Sequence, residues 1–251
     1  AFLLELLCSL DAVVDRIPDD VVLGMKRDRT EIDRFVSLNE SVATLLGYYT
    51  AEGFAREQQT PKGTIHQMTI SGVESEARDF FVDTLESEFG VAPYRENDSK
   101  ITVSGRLLRV FFDTVLDCGV HAEEKSVPSC LFDAPDHIVA AYLSGYFSGD
   151  GSVDKNSLTV TATTVSRGLK EELLALLTRL GINGRVTKTD PAPLTSKFPD
   201  FYDADDDSMS AEGYVITISS TDAVRFDELV DLHLTRKRQR LAEHVEQITP
   251  L

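Results

Sequence analysis

The stretch LLGYYTAEG at residues 45–53 recurs as LSGYFSGDG at 143–151. No other feature narrows the fold as much, because the echo continues downstream in the same order. Thr69-Ile70-Ser71 is answered by Thr159-Val160-Thr161. Gly90, which ends EARDFFVDTLESEFG, is answered by Gly181, which ends LKEELLALLTRLG. ITVSG at 101–105 matches ITISS at 216–220, and FDTVLD at 112–117 matches FDELVD at 226–231. Each copy then reaches a lysine, Lys125 and Lys237. Matches repeated in one order mark a tandem duplication, and a repeat of this kind sets the architecture before any local signal does.

Each copy reads as αββαββα. The nonamer lies on a helix, and β-rich stretches follow it, TIHQMTIS (64–71) in the first copy and SLTVTATT (157–164) in the second. An amphipathic helix ending on glycine comes next. A further strand region (KITVSG; YVITISS) and a last helix (LLRVFFDTVLDCG; AVRFDELVDL) close the unit. The expected fold class is therefore α+β, with two pseudo-symmetric halves at 39–132 and 133–251. Residues 1–38 lie outside the repeat and are expected to form a helical lead-in. The opening AFLLELLCSL carries Glu5 and no basic flank, which suits a buried amphipathic helix better than a signal peptide. PDFYDADDDSMSAEG (199–213) reads as an acidic, solvated loop.

Packing and chemistry divide the nonamers between them. Asp136 after Pro135 suits an N-cap for the second motif helix, and Asn39 or Ser41 for the first. Small residues recur at i and i+4, Gly47 with Ala51 and Gly145 with Gly149. Glycine inside a helix costs about 1 kcal/mol relative to alanine, and close backbone approach to a partner helix is the usual return. The two motif helices are thus expected to pack on each other, with Leu46, Tyr49, Leu143, Tyr146 and Phe147 covering the flanking cores. Glu52 and Asp150 stand in the last turns, where the macrodipole favours cations. Pairing the helices brings both acids to one end, and two adjacent carboxylates raise each other's pKa unless a cation neutralises them. Mg²⁺, a hard ion with oxygen ligands, suits that arrangement.

Composition limits the alternatives. Hydrophobic residues make up 42% of 251, a globular proportion, and no apolar run approaches the roughly 18 residues of a membrane span. Cys8, Cys118 and Cys130 stand apart without a CxxC, and the five histidines form no HxH or HExxH. Neither a disulfide framework nor a zinc site is expected, which fits a reducing cytoplasm. Asp plus Glu total 42 against 25 Lys plus Arg, a net charge of −17. Acidity normally opposes nucleic-acid binding. It also matches a salt-rich, halophilic cytoplasm, where the Debye length falls to about 3 Å at 1 M and net charge stops governing encounter.

LLGYYTAEG and LSGYFSGDG resemble the dodecapeptide motifs of LAGLIDADG homing endonucleases, in the two-motif form found inside archaeal inteins. The resemblance spans about residues 40–245 in the family's order: motif, KSVP-like block (Lys125 to Pro128), second motif, then LLTRLGI (176–182). It implies saddle-shaped antiparallel sheets on either side of a central two-helix interface, in a monomer with pseudo-twofold symmetry. It also implies a site-specific, metal-dependent double-strand DNA endonuclease. Glu52 and Asp150 would bind Mg²⁺ (or Mn²⁺), and Lys125 and Lys237 would assist the attacking water. Lys125 matches the family block, whereas Lys237 rests on the internal repeat, with Lys188 as a competitor. The implied DNA contacts are Arg56, Lys62, His66, Arg95, Lys100, Lys155, Arg167, Arg185 and Lys188. Glu52 departs from the Asp expected in the first motif. The chain begins with Ala1 and ends ITPL, without a splicing nucleophile or a terminal His-Asn, so a freestanding or excised endonuclease is expected. The alternative is a catalytically inactive binding protein on the same scaffold, an RNA maturase or a WhiA-like regulator.

Overall fold

The computed structural model describes residues 18, 20–25, 30–61, 63–189, 192–193 and 210–248. Within the described lead-in the chain is extended rather than helical. Strands β1 (Val22–Gly24) and β2 (Glu31–Asp33) pair antiparallel, and Ile32 is buried in the core. The apolar opening and most of the acidic insertion lie outside the described residues.

The first repeat runs α1 (Glu40–Glu52), β3 (Gly53–Thr60), β4 (Gly63–Ser71), α2 (Ser75–Phe89), β5 (Tyr94–Asn97) and β6 (Lys100–Ser104). It closes with α3 (Arg106–Val110), which continues as a π turn over Phe111–Val115. The second runs α4 (Asp136–Gly149), β7 (Gly151–Val153), β8 (Thr159–Thr164), α5 (Arg167–Arg179), β9 (Arg185–Lys188), β10 (Ala192–Pro193) and β11 (Ser210–Ala211). β12 (Tyr214–Ser219), α6 (Thr221–Leu229) and α7 (Thr235–Ile248) complete it. The two four-stranded antiparallel sheets have strand orders β3-β4-β6-β5 and β7-β8-β12-β9. Counted among the strands of its own sheet, each reads first, second, fourth, third, so the duplication holds at the level of topology. Gly90 and Gly181 end α2 and α5 with φ of 63° and 72°, the left-handed turn that glycine makes without a Cβ penalty.

Asn39 caps α1, its side chain accepting from Val42 N at 2.9 Å. In the second copy Pro135 holds the cap position, and Asp136 is instead the first helical residue, paired with Arg179 at 2.8 Å. Both motif helices are buried nearly all round, from Val42 to Thr50 and from Ile138 to Ser148 with few breaks. An amphipathic stripe is therefore absent from their sequences. They meet backbone to backbone. A Cβ on Gly47 would lie 2.1 Å from the Tyr142 carbonyl oxygen, and one on Gly145 only 2.0 Å from that of Thr44. Thr44 Oγ1 donates to Ala141 O at 3.2 Å, and Tyr142 OH to Thr50 Oγ1 at 3.1 Å, so the seam is also hydrogen-bonded.

Gly145→Ala should force the helices apart and lower stability by about 1–3 kcal/mol or more. Gly168→Ala, where a Cβ would meet nothing nearer than 3.9 Å, should instead raise it by about 0.5–1 kcal/mol. Denaturant unfolding of both variants in concentrated KCl measures the contrast.

Candidate active site

Glu52 is the last residue of α1, and Asp150 stands directly after α4. The glycine after each acid is set by close approach, not by a positive φ. A Cβ on Gly53 would lie 2.5 Å from the Tyr49 carbonyl oxygen, and one on Gly151 2.2 Å from that of Phe147. The strand can therefore leave each helix end only over a residue without a side chain. A Cβ on Gly149 would lie 2.6 Å from that of Ala51 and 3.2 Å from Glu52 Cγ, so the helix ends converge with the two acids side by side.

Both carboxylates reach solvent, yet protein packs densely around them. Burial, then the neighbouring Glu52 charge, raises the Asp150 pKa well above the usual carboxylate value, with Lys237 and Lys125 acting against the rise. Burial likewise raises Glu52, and Lys237 opposes it. The two acids and Lys125 line one cleft of about 460 Å³, with Lys100 and His121 on its walls. A second cleft of about 290 Å³ holds Glu52 again, with Lys237, Arg236 and Glu74.

The two lysines occupy equivalent places. Lys125 Nζ donates to Tyr49 O at 3.2 Å, and Lys237 Nζ to Phe147 O at 3.2 Å. Tyr49 and Phe147 each stand three residues before the acid of their own helix. Lys237 also donates to the carbonyls of Ser148, Gly149 (3.0 Å) and Gly151 (2.5 Å), whereas Lys125 lies 4.1 Å over the Tyr49 ring. Each cation thus binds carbonyls at the end of a motif helix, at the negative end of its dipole, and Tyr49 O accepts from both Lys125 and Gly53 N. Burial pushes both ammonium groups down to about 8, and the Asp150 charge partly offsets this for each. Lys188, the competing residue, is exposed and paired with Glu212 at 2.7 Å, away from the acids.

Residues directly opposite in a ladder share a face. In the first sheet Ala55, Met68 and Val103 face the helices, as do Ile70 and Ile101. Phe54, Arg56, Gln67, Thr69, Thr102 and Ser104 take the open face. Arg56 is held there by Gln67 (2.5 Å) and Glu96 (3.1 Å), and Thr102 donates to Glu96 at 2.9 Å. Lys100, opposite Ser71, also lies on this face. In the second sheet Arg185, opposite Thr217, is open, among the hydroxyls of Ser152, Thr161 and Thr217.

Other expected DNA contacts are placed differently. Arg95 is opposite the buried Ile101 and bonds Asp79 of α2 at 2.5 Å, so it lies on the helix-covered side. His66 is opposite Glu57, on the same covered side as Arg109 of α3. Lys188, opposite Tyr214, follows the same rule. Arg167 begins α5 and pairs with Glu171 at 3.4 Å. Lys155 is exposed in the β7–β8 loop, and Lys62 lies outside the described residues. Arg236, in the second cleft, was not expected at the site; RKRQR at 236–240, the densest basic run of an acidic chain, is the signal that points to it. Gln67 and Glu96 carry no comparable signal.

Residues 137–231 match the family model for a LAGLIDADG-like domain. The chain is 34% identical over 230 residues to the DNA polymerase II large subunit of Haloquadratum walsbyi, a match covering 85% of the chain and 10% of the polymerase. It is 37% identical over 187 residues to that of Thermococcus kodakarensis, covering 74% of the chain and again 10% of the polymerase. The chain therefore spans about a tenth of the length of these relatives. Among solved structures, the homing endonuclease I-DmoI in complex with DNA and Ca superposes with a TM-score of 0.52 at 16% identity, covering 77% of this chain and 90% of that one. A related I-DmoI structure with DNA and Mn gives 0.51 at 15% identity, over 77% and 97%. The motifs, the repeated topology, the helix seam and these likenesses agree: the chain belongs to the LAGLIDADG family.

Proposed function

We propose that the protein is a homing endonuclease that cuts both strands of duplex DNA at a long site. The observation that carries this reading is the meeting of two carboxylates and two buried lysines at one end of the helix seam, between two open sheet faces. Duplex DNA laid across those faces would bring a phosphate of each strand to the paired acids. The matched segment fills only a tenth of each polymerase, the footprint of a nuclease cassette carried within a host protein as an intein.

The site fits a divalent ion of the Mg²⁺ or Mn²⁺ kind. Among the described residues no group of three or more His, Cys, Asp or Glu side chains forms a metal cluster. Two carboxylate oxygen donors remain, with the rest of the coordination left to water and phosphate, as Mg²⁺ prefers. Mutual repulsion of the acids is what a cation would relieve. When bound, such an ion polarises phosphate oxygens and acidifies a water.

The remaining work belongs to side chains of the chain. Glu52 and Asp150 hold negative charge at a fixed point and orient water by accepting its hydrogen bonds. Lys125 and Lys237 present fixed ammonium groups toward charge that develops on the phosphate. Arg56 and Arg185 reach toward base edges or phosphates from the open faces, where a guanidinium suits guanine O6 and N7.

Metal binding has a stability readout. Carboxylates raised in the fold hold more protons folded than unfolded, from about pH 4 up to their raised values. Stability of the metal-free protein should therefore fall as pH rises through that window. At neutral pH Mg²⁺ should raise the melting midpoint of the unsubstituted chain and leave Asp150→Asn unmoved. Asp150→Asn without metal should melt about 2–4 °C higher, the shift that 1 kcal/mol gives in a chain of this size.

Activity is tested on a plasmid carrying the uninterrupted polymerase coding sequence, in Mg²⁺ and concentrated KCl. The unsubstituted chain should linearise it, and Glu52→Ala, Asp150→Asn or Lys125→Met should slow cutting by about 10²–10³-fold. Binding without cleavage by the unsubstituted chain would sink the nuclease reading. In DNA-binding titrations Arg56→Ala should weaken affinity by about 1–3 kcal/mol, whereas Arg95→Ala, on the covered face, should leave it unchanged.

A further inference from the structure

Neither lysine is fixed by its own repeat alone. Lys125 lies in an irregular segment between Gly119 and Ser129, so no ladder or helix sets its backbone. Glu124 and Ser126 on its flanks bond within the first repeat, and contacts from the second repeat hold Lys125 itself and the residues beyond. Ser166, at the N-cap of α5, donates its hydroxyl to Lys125 O at 2.7 Å while accepting from Leu169 N at 3.1 Å. Glu172, one turn further along α5, accepts from Val127 N at 2.7 Å. The chain is thus gripped at Lys125 and two residues beyond it.

Lys237 is held in the reciprocal sense. It is the third residue of α7, a helix whose first N–H groups need acceptors from outside. Glu76, on α2 of the first repeat, supplies one to the first N–H and a second to the same residue's hydroxyl: Oε1 accepts from Thr235 N at 2.8 Å and Oε2 from Thr235 Oγ1 at 2.9 Å. Glu74 bonds Arg236 at 2.7 Å, and Tyr48 OH meets His233 Nδ1 at 3.0 Å, so the same turn is gripped on both flanks. The grip falls two residues before Lys237. The carboxylate also sits where the α7 dipole favours an anion.

We propose that Glu172 and Glu76 are reciprocal positioning residues, each fixing the active-site lysine borne by the opposite repeat. This rests on the reading of the protein as a two-strand nuclease. Lysine carries its charge on a flexible four-carbon stem, so the ammonium group is only as well placed as the backbone beneath it. With Nζ bound to carbonyls of the motif helix of its own repeat, and the backbone bound by a glutamate of the other, each lysine spans the seam. Relaxing one glutamate should disturb one lysine and leave the other in place.

The readout is strand-resolved cleavage of a duplex carrying the uninterrupted polymerase coding sequence, with a different label on each strand. Glu172→Ala should slow cutting of one strand by about 10- to 100-fold, the loss that a misplacement near 1 Å brings, and nicked DNA should accumulate. Glu76→Ala should do the same on the other strand. Each should select the strand that Lys125→Met or Lys237→Met selects, with DNA affinity unchanged. Glu172→Gln and Glu76→Gln keep an acceptor oxygen and should restore cutting of both strands. Glu172→Asp and Glu76→Asp, which keep the charge and withdraw the acceptor by one bond, give the same strand selection if an alanine variant unfolds. Equal slowing of both strands, no slowing, or a loss confined to DNA affinity overturns the proposal. An unsubstituted chain that cuts beside unselective variants overturns the positioning role alone. An unsubstituted chain that binds and never cuts overturns the nuclease reading with it.

Discussion

Everything at the site descends from how closely α1 and α4 approach. With Gly47 against the Tyr142 carbonyl and Gly145 against that of Thr44, the helices touch through main-chain atoms. Any larger residue at either position would separate them, and the acids at their ends would separate with them. The contact also explains why two poor helix formers are kept inside helices. About 1 kcal/mol of propensity at each glycine is offset by burial of tyrosines and phenylalanines on every other side of the pair. Asp150 and Glu52 then inherit a location that neither would reach through favourable local electrostatics.

That location creates a charge problem, and the lysines are its partial answer. Two acids at the negative ends of two helix dipoles are unfavourably placed. Lys125 and Lys237 attach to the carbonyls of those same helix ends, which counters the dipoles before it counters the acids. Repulsion left between the carboxylates would be the driving force for taking up the proposed divalent cation. Farther out, exposed cations have carboxylate partners of their own, among them Arg56 with Glu96 and Arg236 with Glu74. Exposed pairs of this kind contribute about 0–1 kcal/mol each. Exchanging a carboxylate for a DNA phosphate is then nearly neutral, which reconciles a net charge of −17 with the proposed substrate.

How much of this could be read from the residues depends on the range of the cause. The duplication, the small residues of the seam and the two acids are local patterns written twice, and the copies validate each other. The internal repeat already set Lys237 ahead of Lys188, and in three dimensions its bond to Phe147 O, matching that of Lys125 to Tyr49 O, supports the same choice. The sequence did not tell which strand face His66, Arg95 and Lys188 take, and the ladders put them on the helix-covered side. A shift of one residue moves a side chain to the other face of a strand, and the register between β5 and β6 slips between Arg95 and Asn97. Nothing local separates Arg56 from Arg95. The lead-in misled for a related reason: Ile32 reaches the core on a short hairpin, where periodicity has too few residues to speak. Glu76 and Glu172 sit among ordinary helix acids, and only contact across 159 and 45 positions of sequence sets them apart.

Divergence between the repeats grows with distance from the seam, and the proposed function gives that gradient a reason. At the centre the constraints are steric and symmetric: glycine against carbonyl, lysine on carbonyl, acid beside acid. Even there Glu52 stands where its partner is Asp150, and one cleft carries His121 where the other carries Arg236 with Glu74. On the open faces the repeats share a facing threonine pair, Thr69 with Thr102 and Thr161 with Thr217, and differ around it, with a network of Arg56, Gln67 and Glu96 on one and Arg185 and Ser152 on the other. A homodimer of identical halves must read the same surface twice, so it matches a palindromic target. A single chain holding two copies is free of that condition. Its seam must stay symmetric to place one acid at each strand, while each sheet can fit its own half of a site with no internal symmetry. Joining the halves in one chain is thus what lets the chemistry remain twofold while recognition does not.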